Sequence, residues 1–73
     1  MSLGSTPRAQ VTIDGAYVRF TPLLEYPVPA GEHVVLLVTD DGRRKMFRVT
    51  VAPGKLTQRV WNFDSESWED GGP

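Results

Sequence analysis

Apolar and polar residues alternate along most of this chain, with period two. Val11 and Ile13 share one phase of residues 9–14, and Gln10 and Thr12 share the other. Residues 45–51 repeat the pattern, with Phe47, Val49 and Val51 set against Met46, Arg48 and Thr50. Successive strand side chains point to opposite faces, so this alternation predicts half-buried strands. Further strands are expected over 16–20, 23–28, 33–39 and 56–63, each bounded by turn chemistry: Asp14-Gly15, Thr21-Pro22, Pro29-Ala30-Gly31, Asp40-Asp41-Gly42 and Pro53-Gly54. The prolines at 27 and 29 confine their segment to a sheet edge. No window carries an apolar stripe of 3.6-residue period at helical length. The expected fold is all-β, without helix: a small two-sheet antiparallel β-sandwich of about six or seven short strands.

One strand breaks the alternation. In Val34-Val35-Leu36-Leu37-Val38 both phases are apolar. A strand of a two-layer sandwich buries one face only. The phase of Val34, Leu36 and Val38 is therefore expected either to be covered by another segment of the chain or to lie open as an interaction surface or homodimer interface.

Length limits what such a fold can do. Seventy-three residues form one small domain, and there is no cysteine to cross-link it or to act as nucleophile or thiolate ligand. No run of eighteen apolar residues is present, so no membrane insertion is expected of this segment. The net charge of −1 hides an asymmetry: all eight basic residues precede position 64, while Asp64, Glu66, Glu69 and Asp70 crowd the last ten. The expected organisation is an appended start and flexible lead-in over 1–8, a sandwich over 9–63 and an acidic disordered tail over 64–73.

The inventory of reactive groups is thin. His33 is the only imidazole, no motif marks a nucleophile near it, and the serines cluster toward the chain ends. Its expected role is a hydrogen bond to a turn. Asp40-Asp41 lacks the ligand spacing of a calcium loop, and the glycines lie singly at turns rather than in a phosphate-binding loop. No catalytic residue, metal or cofactor is expected. Arg43-Arg44-Lys45 follows a turn and reads either as a charged strand end that resists edge pairing or as a patch for an acidic partner. With Tyr17 and Phe20 it resembles an aromatic–basic surface, but the body is too weakly basic for a nucleic-acid binder. Trp68, within Glu66-Ser67-Trp68-Glu69-Asp70, reads as part of the tail or of an acidic-aromatic segment that docks on those cations.

The order of turn residues carries a resemblance. Ser5-Thr6-Pro7, Ile13-Asp14-Gly15, Thr21-Pro22-Leu23, Pro29-Ala30-Gly31-Glu32-His33 and Pro53-Gly54, with Val35, Leu37, Val49 and Val51 between them, resemble the PEGA domain family over about residues 5–63. The resemblance implies a β-sandwich accessory module without catalytic residues, in which Asp14, Gly15, Thr21, Pro22, Gly31, His33 and Gly54 form a structural turn signature. It implies a larger bacterial parent protein, either kinase-type or of the cell envelope, and slightly favours an extracytoplasmic location. Its partner would be another protein or the rest of the parent chain, with a cell-wall carbohydrate ligand as the alternative. The chain departs from the family pattern at Arg19-Phe20, where glycine is usual, which would set a cation and a ring on an exposed turn.

Overall fold

The computed structural model describes residues 1–69 and contains seven strands. They are β1 (Ser2–Thr6), β2 (Ala9–Ile13), β3 (Ala16–Phe20), β4 (Gly31–Thr39), β5 (Arg44–Val51), β6 (Gln58–Asn62) and β7 (Ser67–Trp68). Four form one sheet in the order β3-β2-β4-β5, and three form a second in the order β1-β6-β7. All pairings are antiparallel except β1 with β6, which is parallel. The all-β two-sheet architecture is as the alternation predicts.

The core is the inward phase of each strand. Ala9, Val11 and Ile13 of β2, Val35 and Leu37 of β4, and Phe47, Val49 and Val51 of β5 are buried. Leu3, Leu23, Trp61 and Phe63 meet them from the other side of the cluster. Burial of these side chains is the main source of stability, at about 1.5–3 kcal/mol for each valine, leucine, isoleucine or phenylalanine.

Four sequence expectations are corrected. Residues 1–8 are not a flexible lead-in: β1 pairs with β6 from Ser2↔Gln58 to Thr6↔Asn62, and Met1 and Leu3 are buried. Its polar letters hide this, because Ser2 and Ser5 are taken up by hydrogen bonds, Ser2 Oγ accepting from the Glu25 amide at 2.8 Å. Residues 23–28 do not form a strand. Only Leu23 bridges to Leu3; Glu25 then adopts φ +49°, and prolines 27 and 29 offer no amide to a ladder. Third, the segment after residue 63 is not wholly a tail. Ser67 and Trp68 pair with Asn62 and Trp61, and Glu69 N–H donates to the Val60 carbonyl at 2.9 Å. The remaining stretch of the expected tail, 70–73, lies outside the described residues. Arg19 and Phe20 sit within β3, not on a turn, beside a bulge between Val11 and Thr12 of its partner strand.

Candidate functional site: the outer face of the four-stranded sheet

The turn signature is built into the scaffold. Asp14 and Gly15 both have positive φ, 51° and 85°, and join β2 to β3 as the tight hairpin turn that matches strand twist. Asp14 also reaches across to β4. Its Oδ1 accepts from the Val34 amide at 2.9 Å, and its Oδ2 lies 2.6 Å from His33 Nδ1. His33 Nε2 lies 2.7 Å from the Pro29 carbonyl oxygen. A carbonyl only accepts, and so does a carboxylate, so both contacts are hydrogen bonds when both ring nitrogens donate, which favours the protonated imidazole. The Asp14 hydrogen bond first, then the Pro29 carbonyl, raise the His33 pKa above its usual value, against the opposing effect of burial. The same contact, with the Val34 amide, lowers that of Asp14. His33 is buried and engaged on both sides, so this is a clamp on a turn rather than a poised base.

Thr21 is a second tie. Buried at the end of β3, its Oγ1 accepts from the Ala9 amide at 3.0 Å and hydrogen-bonds Ser5 Oγ at 2.8 Å. This joins β1 and β2 to the segment that leaves the sheet. The Thr21-Pro22 peptide is cis. Gly31 opens β4, and Gly54 turns the chain between β5 and β6.

The three consecutive cations separate into different roles. Arg43 contacts Asp41 at 3.0 Å and Asp64 at 2.9 Å, tying the β4–β5 turn to the β6–β7 turn. Thr39 donates to Asp41 within the same turn. The Thr39 bond first, then Arg43, hold the Asp41 carboxyl below its usual pKa, and Asp64 and Asp41 push the Arg43 guanidinium up. Lys45 lies with Nζ 4.3 Å from the Trp61 ring centroid and 5.7 Å from that of Trp68. Arg44 alone points outward, with no ion pair among the described residues. Trp68 is half-buried: its ring meets Phe47 and Trp61 edge-on, each at 4.9 Å. The aromatic residue of the acidic segment therefore packs in cis, on Phe47 and Trp61, with Lys45 beside the two tryptophan rings.

What remains open is the outer face of the four-stranded sheet. Register places Tyr17, Thr12, Leu36 and Met46 in one row across β3, β2, β4 and β5. The next row is Phe20, Gln10, Val38 and Arg44, and on the other side Val34 lies opposite Arg48. Tyr17 is 58% exposed and Met46 65%, while Val34, Leu36 and Val38 are partly exposed. No segment of the described chain lies over this row, so the second apolar phase of β4 is left partly open. The outward cations are Arg44, Arg48 and Arg8, with Arg8 stacked 4.5 Å over the Phe20 ring. The near counter-charges are Glu32, 3.8 Å from Arg48, and Asp40, 4.0 Å from Arg8. Sequence reasoning did not single out Met46, although its phase with Arg48 and Thr50 already set it on the outward side.

A family model described as PEGA domain matches residues 1–66. The chain belongs to the PEGA domain family. That match takes in β1 and the turn before β7, the two parts the sequence alone had set outside the domain. No curated protein and no solved structure matches this PEGA domain. Among its described residues no three histidine, aspartate or glutamate side chains converge to hold a metal ion, and no helix is long and apolar enough to cross a membrane. An open groove of about 230 Å³ lies at the opposite side of the molecule, lined by Gly4, Pro22, Leu24, Gln58 and Val60. It holds no convergent charged groups. The family suggests an accessory module.

Proposed function

We propose that this PEGA domain is a non-catalytic interaction or spacing module of a larger bacterial protein, kinase-type or of the cell envelope, and that it makes contact through the outer face of its four-stranded sheet. The observation that carries the reading is the row Tyr17, Leu36 and Met46, flanked by Val34 and Val38 and fringed by arginines. An apolar strip rimmed by polar groups has the composition of a protein contact surface. Its partner is another protein, the rest of the parent chain or a second copy.

Carbohydrate binding is less well supported. The rings available for stacking were Tyr17, Phe20 and Tyr26, but Arg8 lies over Phe20 at 4.5 Å and Arg19 over Tyr26 at 5.9 Å. Of the three, Tyr17 has no cation over its ring among the described residues and is exposed.

Sedimentation equilibrium over a wide concentration range, on the parent chain and on Leu36→Lys, tests the reading. Association of the parent that is lost in a folded Leu36→Lys supports the outer face as an interface. A parent that stays monomeric while Leu36→Lys unfolds refutes it, because Leu36 would then belong to the core.

A further inference from the structure

Resting on that reading, we propose that the outer edge of β5 accepts an extended acidic peptide of a partner protein as a fifth strand, selecting an acid–apolar–acid pattern at every second residue. The sheet order leaves β5 with one ladder partner among the described residues, β4. That pairing runs without a register shift from Gly31↔Val51 to Val38↔Arg44, so the eight-residue strand is regular, and among the described residues its far side carries a row of amides and carbonyls without a ladder partner. Such an edge is a template for strand addition. The other edge of the sheet is different: β3 has five residues and its pairing is interrupted by the bulge. A bulge twists an edge away from a flat partner.

The side chains on β5 specify the occupant. Arg44, Met46 and Arg48 stand in line on the outer face, all exposed. At about 3.4 Å per residue, the two arginines sit roughly 13–14 Å apart with the thioether between them. A strand laid alongside in register would set its own residues j, j+2 and j+4 against them, so carboxylates at the ends and an apolar residue at the centre match. Glu32 is no obstacle, since its 3.8 Å contact with Arg48 joins two largely exposed side chains and is worth little. The same cations oppose a second copy of β5, which would bring Arg44, Lys45 and Arg48 of both chains into one joint. The edge is thus protected against itself and open to an acidic strand.

The test is a titration with a blocked, fluorescein-labelled peptide, Thr-Glu-Thr-Val-Thr-Glu-Thr, read by anisotropy and by amide shifts of the isotope-labelled protein. Expected are saturable binding, shifts along residues 44–51, and binding at least about tenfold weaker for the peptide with lysine in place of glutamate. The exposed double variant Arg44→Glu/Arg48→Glu should reverse that preference, and Arg44→Gln/Arg48→Gln should abolish it. No saturation up to about 1 mM, equal binding of both peptides, or shifts confined to β3 would overturn the proposal. Failure here with Leu36→Lys-sensitive association intact removes the edge site alone. A chain that neither associates nor binds either peptide removes the interaction reading with it.

Discussion

Trp68→Ala would show how much of this small fold depends on a tryptophan in a segment that reads as a tail. The substitution deletes the half-buried ring that closes over Phe47 and Trp61. Burial of about half a tryptophan, roughly 100 Å² at about 25 cal/mol/Å², is worth about 2.5 kcal/mol. Two edge-on aromatic contacts add about 0.5–1.5 kcal/mol each. Alanine keeps part of this and the unfolded chain is itself partly collapsed, so a loss of about 3 kcal/mol is expected. A disulfide-free domain of this length commands only about 3–5 kcal/mol in total. The variant should therefore lie close to the folding threshold, melting at least about 12 °C below the parent at about 4–8 °C per kcal/mol. Thermal and urea unfolding followed by circular dichroism measure this, with Trp68→Phe as a milder variant that keeps a ring edge. A Trp68→Ala melting point within about 4 °C of the parent would refute the claim that β7 is structural and return the residue to a free tail.

The remaining predictions concern the clamp, the turn, the first strand and the open face. His33 has its pKa raised, so the stability it contributes is complete below about pH 6.5 and is lost as pH rises through its folded value. Asp14 has its pKa lowered, so its share is complete above about pH 4 and is lost as pH falls through its depressed value. Melting points should be highest between those limits and decline on the alkaline side, and Asp14→Asn should flatten that decline. Gly15→Ala forces a side chain onto φ +85°, with open space around it, so the cost is backbone strain of about 1–2 kcal/mol, readable by urea denaturation. Removal of residues 1–6 takes out Met1, Leu3 and the parallel partner of β6 and should leave no dispersed amide spectrum; a native-like spectrum would show that β1 is dispensable. Leu36→Lys should retain that dispersion, because its side chain leaves the core untouched.

Strands β2 and β5 were legible because each has one wet and one dry face, and period two survives in the letters; β4 was legible as an apolar run between two turns, although both its phases are apolar. The hairpin at Asp14-Gly15 was legible because few residue pairs tolerate two positive φ angles in succession. Of the smaller sheet only β6 was legible, inside the strand expected over 56–63. β1 reads Ser-Leu-Gly-Ser-Thr, and what makes it a strand is a partner more than fifty residues away, which no local pattern encodes. Leu24, Tyr26 and Val28 do alternate, yet the positive φ at Glu25 and the two prolines outweigh the alternation. The run of three cations was visible as a cluster, but only tertiary contacts separate Arg43 and Lys45, which are engaged within the domain, from Arg44, which is exposed and makes no ion pair among the described residues.

The parallel pairing of β1 with β6, followed by the antiparallel return of β7, has a mechanical meaning. β1 begins at Ser2, beside Gln58; β7 runs back along β6 until Glu69 meets Val60, which itself pairs with Gly4. The backbone thus approaches and departs on the same side of the sheet, two interstrand spacings or roughly 10 Å apart. A polypeptide continued from both ends would carry this domain as a side lobe that adds breadth and leaves the contour length almost unchanged. Tension along such a polypeptide would load β1, β6 and β7 from one end, opening their ladder bond by bond like a zip rather than shearing it as a whole. The lobe would yield at low force, and a spacer built this way would keep neighbours apart by its girth.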